Sequence, residues 1–160
     1  MVIEKNIPME HILKHKLKNG LFDNVSPLRS KMMRAVKGKN NKSTELKLRM
    51  ALVKAGIKGW ILHPANVFGK PDILFLEKRL AIFVDGCFWH GCDICGRRVP
   101  KTRTAFWRTK LENNQTRAKV VKSNLRKQSI KVVRVWEHSL KTSTKIKGIL
   151  KRILSYVHNS

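Results

Sequence analysis

Three cysteines, Cys87, Cys92 and Cys95, fall within nine residues. Cys92 and Cys95 form a Cys-x2-Cys knuckle, the spacing at which two thiolates reach one tetrahedral zinc. Cys87 is placed to be a third ligand. Three cysteines cannot all pair within one chain, so their clustering points to metal rather than disulfides, and to a reducing compartment. Two histidines compete for the fourth position. His90 lies inside the loop, and His138 follows the segment Val135-Trp136-Glu137. A closed Cys3His set leaves no open position for water, so such a centre is structural rather than catalytic.

Acids are scarce: ten Asp and Glu stand among 35 Lys and Arg. Asp72 follows Pro71 at the start of an expected strand, and Asp85 ends the next one. Acids on two adjacent strands can meet at one end of a sheet, and Glu45 on a preceding helix can join them. Such a set holds a divalent cation at a scissile phosphate, where the metal neutralises developing charge. The alternative is that the strand-end aspartates only cap turns.

The elements must bring these groups together. Residues 1–27 read as a basic extension closed by Ser26-Pro27. LRSKMMRAV, from Leu28, reads as a short basic helix stopped by Gly38-Lys39-Asn40-Asn41. Ser43 is expected to cap a second helix, with Glu45 in its first turn and Leu46, Met50 and Val53 on its buried face. Gly56 is expected to end it. Strands are expected at Trp60 to His63, Ile73 to Leu76 and Leu80 to Val84, with a turn at Glu77-Lys78-Arg79. A long helix follows, from about Thr104 to Gln128, with Trp107, Leu111, Ala118, Val121 and Leu125 on one stripe. Ile130 to Trp136 is a fourth strand. Ile146, Ile149, Leu150, Ile153, Leu154 and Val157 mark an amphipathic final helix. The order predicts a small α/β domain, residues 28–160, with a mixed central sheet flanked by helices.

The chain has 160 residues, enough for one domain with a core and short for two. Hydrophobic residues make up 42%, which excludes a disordered chain. The formal net charge is +25. So large a field repels itself unless a polyanion neutralises it, so nucleic acid is the first partner to expect and an anionic membrane surface the second. No run of apolar residues is long enough to span a bilayer. MVIEKNIPMEHILKHKLKNG has no apolar core of a secretory signal, so a cytoplasmic place is expected.

GKPDILF, IFVDGCFWHGC, PKTRTAFWRTKLENN and VVRVWEH occur in this order between Ser30 and His138. Together they closely resemble the very-short-patch-repair (Vsr) DNA mismatch endonucleases. The resemblance implies the PD-(D/E)XK, restriction-endonuclease-like fold with a structural zinc loop. It implies nicking of duplex DNA beside a T:G mismatch, in a bacterial-type, nucleoid-associated setting. A monomer is expected, working with double-stranded DNA and mismatch-repair proteins. A Vsr-like homing or restriction-associated enzyme cutting intact duplex, and a catalytically weak zinc-stapled DNA-binding protein, are the alternatives.

Carried over by position, the resemblance puts a catalytic Mg2+ on Asp72 and the backbone carbonyl of Val84, with Glu45 nearby. It gives His90 to catalysis and His138 to zinc, beside Cys87, Cys92 and Cys95. Phe88, Trp89 and Trp107 become aromatic wedges in the base stack. Lys110 and Asn114, on one face of the long helix, contact the mismatched bases, and Met33 presses from the other groove. Two departures stand out. Asp85 replaces a histidine seen in some members and is either a metal ligand or a turn cap. Ala118 stands where the family carries an aspartate that orients the catalytic histidine.

Overall fold

Short apolar segments in the middle of the chain alternate sides and build a sheet. The computed structural model describes Leu28, residues 44–95 and residues 99–158. All of these but Leu28 lie in one compact unit, Lys39–Ser160. Strands β1 (Ile61–Leu62), β2 (Ile73–Phe75) and β3 (Leu80–Asp85) form an antiparallel meander. Strand β4 (Lys131–Trp136) lies parallel to β3, completing the order β1-β2-β3-β4. A parallel neighbour needs a crossover, and the 24-residue helix α2 (Thr104–Lys127) supplies it.

The pleat sends side chains to two faces. Ile73, Phe75, Leu80, Ile82, Val133 and Val135 meet helices α1 (Glu45–Lys54) and α3 (Ser143–His158) through Leu48, Leu52, Ile149 and Ile153. Leu74, Ala81 and Phe83 meet Val121 and Leu125 of α2 on the other face. The described fold is thus a mixed α/β sandwich with helices on both faces, as the sequence predicts. No described helix is long and apolar enough to cross a membrane.

Three expectations need correction. Helix α1 does not bury Leu46, Met50 and Val53; Met50 is 49% and Val53 58% exposed. Its buried residues are Glu45, Leu48 and Leu52. The helix is turned so that a carboxylate shares the inward face with two leucines, which an apolar-stripe reading cannot find. Strand β1 is shorter than Trp60 to His63. Gly59 adopts φ 80 and His63 φ 44, which break the extended backbone on both sides. The stripe on α2 is core only at Val121 and Leu125; Trp107 and Leu111 are half-buried. There the helix faces the loop after β3 instead of the sheet.

The end of α1 falls where expected. Gly56 has φ 68, and the bonds Gly56 N to Val53 O and Ile57 N to Leu52 O, each 3.0 Å, form a Schellman motif. The basic extension 1–27, Ser43 and Met33 lie outside the described residues, as does the helix expected from Leu28, Leu28 itself excepted.

Candidate active site and metal centre

Asp85 ends β3, and Gly86 opens a single tight turn. His90 N donates to Gly86 O at 3.2 Å and Cys92 N to Cys87 O at 2.9 Å. Gly91, at φ 62, ends the turn, and a Cβ there would meet the Gln115 amide at 2.3 Å. This turn presents Cys87 and Cys92 to one side and carries Phe88, Trp89 and His90 between them.

The Cys87, Cys92 and Cys95 sulfurs lie 3.3, 3.4 and 3.4 Å from His138 Nδ1. A tetrahedral zinc with ordinary Zn–S and Zn–N bonds sets its sulfur and nitrogen ligands about 3.5 Å apart. The four donors therefore fit one closed metal centre. The rivalry for the fourth place goes to His138, which the parallel pairing of β3 and β4 delivers from 51 positions away. Burial pushes the Cys87 thiol up to about 11, so a cation must displace a firmly held proton there. Burial also raises Cys92, but hydrogen bonds from Cys95 outweigh it and hold that thiol below its usual range. Glu137 Oε2 accepts from Cys87 N at 3.1 Å and anchors the start of the turn.

A second cluster forms where α1, β1 and β2 meet. One donor atom each from Glu45, His63 and Asp72 lies within 4.8 Å of the others. Glu45 sits in the first turn of α1, where the helix dipole favours an anion. Asp72 is held from two sides: its N donates to Ile82 O at 3.0 Å, and its Oδ2 accepts from Val84 N at 2.7 Å. Burial pushes the Asp72 carboxyl above its usual value, against the pull of the Val84 bond. Glu45 and Asp85 push it the same way, and His63 opposes them. An acid so placed gains from a bound cation. The residues fit a divalent metal.

Asp85 does not belong to that cluster. Its carboxylate is buried and takes both the Nε and an Nη of Arg134 on β4. Asp85 Oδ1 also lies 3.5 Å from His90 Nε2. Asp85 therefore bridges a guanidinium and an imidazole. Burial pushes His90 below its usual value; Asp85 opposes this and Arg134 adds to it. His90 Nδ1 is buried and makes no hydrogen bond among the described residues. Ala118 offers it no acceptor. The carboxylate at ion-pair distance from His90 is Asp85.

The aromatics gather beside this turn. Phe88 lies 5.1 Å from Trp89 and 5.5 Å from Trp107 between ring centroids, and the two tryptophans are 6.0 Å apart. All three are half-buried. Lys110 Nζ stands 5.6 Å above the Trp89 ring, and Asn114 Nδ2 donates to Trp89 O at 2.9 Å. The i, i+4 pair on α2 thus braces the turn. Farther along α2, Lys119, Lys122, Arg126 and Lys127 line a shallow basic cleft suited to phosphates.

Sequence reasoning missed His63, Arg134 and Glu137. Only His63 left a local signal, as a histidine beside Pro64 at the end of an expected strand. The other two act through the β3–β4 pairing.

Comparison with known proteins gives the family. Residues 22–96 match the family model described as DNA mismatch endonuclease Vsr. The type II nicking enzyme V.NaeI of Lentzea aerocolonigenes is 40% identical over 114 residues, 69% of this chain and 68% of that protein. V.XorIIP of Xanthomonas oryzae pv. oryzae, also a type II nicking enzyme, is 34% identical over 135 residues, 84% of this chain and 98% of that one. The DNA mismatch endonuclease Vsr of Escherichia coli is 35% identical over 118 residues, 74% of each chain.

Proposed function

The chain belongs to the Vsr family of DNA endonucleases, and we propose that it nicks duplex DNA beside T:G mismatches by metal-dependent phosphodiester hydrolysis. The observation that carries this reading is the Phe88, Trp89 and Trp107 cluster on the turn that also holds His90. Aromatic wedges cost a few kcal/mol of unstacking per base step, least where pairing is already poor, so mismatched sites are favoured by their deformability. Lys110 and Asn114 brace the wedge and face the unstacked bases.

The catalytic part follows from the two acidic groupings. We assign the PD-(D/E)XK role to Asp72 with Glu45, and the remaining ligand to the Val84 carbonyl. A divalent cation such as Mg2+ supplies Lewis-acid stabilisation of the charge that develops on the phosphate. The His90 imidazole takes the proton from the attacking water as its oxygen bonds to phosphorus and one ester P–O bond breaks. Burial keeps that imidazole neutral and able to accept. Asp85, fixed by Arg134, holds the ring in place where Ala118 cannot. Cys87, Cys92, Cys95 and His138 hold Zn2+, which fixes the turn. A monomer acting in the cytoplasm on nucleoid DNA, beside mismatch-repair proteins, completes the proposal.

The test is nicking of two labelled duplexes, identical but for one T:G pair, in several flanking contexts. Nicking confined to the mismatched duplex is expected. Trp107→Ala should weaken binding to it about 10- to 100-fold, the range of one lost base stack. Equal cutting of both duplexes would overturn mismatch specificity and favour the intact-duplex reading, for which the departures at Asp85 and Ala118 speak.

A further inference from the structure

The Glu45–Asp72 pair is the expected carboxylate half of a cation site, but the third member of the cluster is an imidazole. His63 directly follows β1, and its N donates to Asp72 O at 3.1 Å. The antiparallel register that pairs Leu62 with Ile73 sets His63 against Asp72. Its left-handed backbone, φ 44, is a conformation that histidine adopts rarely. Its Nε2 is buried and 2.9 Å from Glu45 Oε1.

That distance has two readings. It suits a hydrogen bond, and it suits two neighbouring ligands of one octahedral ion, which bond lengths of 2.0–2.1 Å place about 2.9 Å apart. The angles decide between them: His63 Nε2 makes no hydrogen bond with any described residue, Glu45 included. The ring nitrogen is therefore close to Glu45 Oε1 without being directed at it. Asp72 contributes a third donor within 4.8 Å.

We propose that His63 is a direct nitrogen ligand of the divalent cation at Glu45 and Asp72, and that the site takes a first-row transition ion such as Mn2+ in preference to Mg2+. The reading rests on the nuclease assignment above and deepens it. Mg2+ is a hard ion that keeps oxygen ligands and gives up water reluctantly, whereas imidazole suits the transition series. Two carboxylates and one imidazole therefore shift preference away from Mg2+ without excluding it.

The experiment measures binding as well as turnover. Mn2+ is added to the full chain whose Cys3His centre is already loaded with Zn2+, so that the thiolates are occupied. Pulsed electron paramagnetic resonance on the bound Mn2+ should show coupling to an imidazole 14N. His63→Gln keeps a polar side chain beside Glu45 but removes the imidazole. It should abolish that coupling and weaken Mn2+ binding about 10-fold or more, while Mg2+ binding changes less than about 2-fold. A calorimetric melt of the variant shows whether the fold is retained. Absence of 14N coupling in the wild-type chain, or its persistence in His63→Gln, overturns the ligation. So does an equal loss of Mn2+ and Mg2+ affinity, because His63 then only positions Glu45. Nicking is scored separately: a chain that binds Mn2+ through nitrogen yet never nicks removes the nuclease assignment and leaves the site.

Discussion

Among the described residues, two clusters of metal-ligand type lie at the same sheet, and they are built in opposite ways. Around His138, three thiols from one loop close on a nitrogen, with four donors filling a tetrahedron. At Glu45, His63 and Asp72, three donors come from segments far apart in sequence and lie within 4.8 Å of one another; in the proposed nuclease the remaining positions on a cation would take water and a phosphate. The first set is soft and complete, the second hard-edged and open. A closed centre holds backbone in place; an open one holds a reaction. The turn from Gly86 to Gly91 carries Cys87 of the first set and His90, which lies 3.5 Å from Asp85, an acid whose charge is felt at Asp72 of the second.

Cys92→Ser tests the division most severely. Losing one ligand of a closed set removes metal-coupled folding energy. The melting temperature should fall by more than about 10 °C, since 1 kcal/mol is worth about 2–4 °C in a chain of this size. Nicking should fall with it, as the turn bearing Phe88, Trp89 and His90 loses its anchor. A variant that melts normally would break the comparison.

Asp72→Asn should do the reverse. Nicking should drop about 1,000-fold or more, the scale of several kcal/mol of lost charge stabilisation. Melting should stay level or rise slightly, because burial already disfavours the ionised carboxyl in the chain without a cation. A parallel loss of stability would show that the open centre also holds the fold.

The smallest effect is on pH dependence, and it sharpens the open side. The base must be neutral, and burial holds His90 below the ordinary imidazole value of 6.5. The acid limb of the single-turnover rate should therefore lie below that value. Asp85 is the group that raises His90, so Asp85→Asn should move the limb further toward acid. A move toward alkaline pH would contradict the assignment.

The same contrast explains what the sequence made legible. Cys87, Cys92 and Cys95 are neighbours, so their spacing alone announced a metal. His138 needed the parallel pairing of β3 with β4, and spacing left it level with His90. The open centre was harder. Glu45 and Asp72 were visible as scarce acids, but His63 enters only through the β1–β2 register. The inward face of α1 was misread for a related reason. Leu46, Met50 and Val53 are as periodic as Glu45, Leu48 and Leu52, and hydrophobicity favours the first set. A glutamate turned inward for chemistry defeats the apolar pattern, and local rules fail most often where function overrides them. Asp85 was legible as a scarce strand-end acid, but its pairing with Arg134 enters only through the neighbouring strand β4.

The tie between Cys87 and His138 also bears on how the chain finds its fold. It spans 51 positions and encloses the crossover helix and β4 in one ring that starts just after β3. Pairing β3 with β4 is the slow kind of contact, since a long loop must close before the strands gain anything. A cross-link of this span removes about 4 kcal/mol of unfolded-chain entropy. Three ligands sit close enough in sequence to capture a cation before the sheet is complete, and the fourth arrives with β4. A metal bound there would thereby act on assembly speed as well as on final stability, by shortening the search that closes the ring.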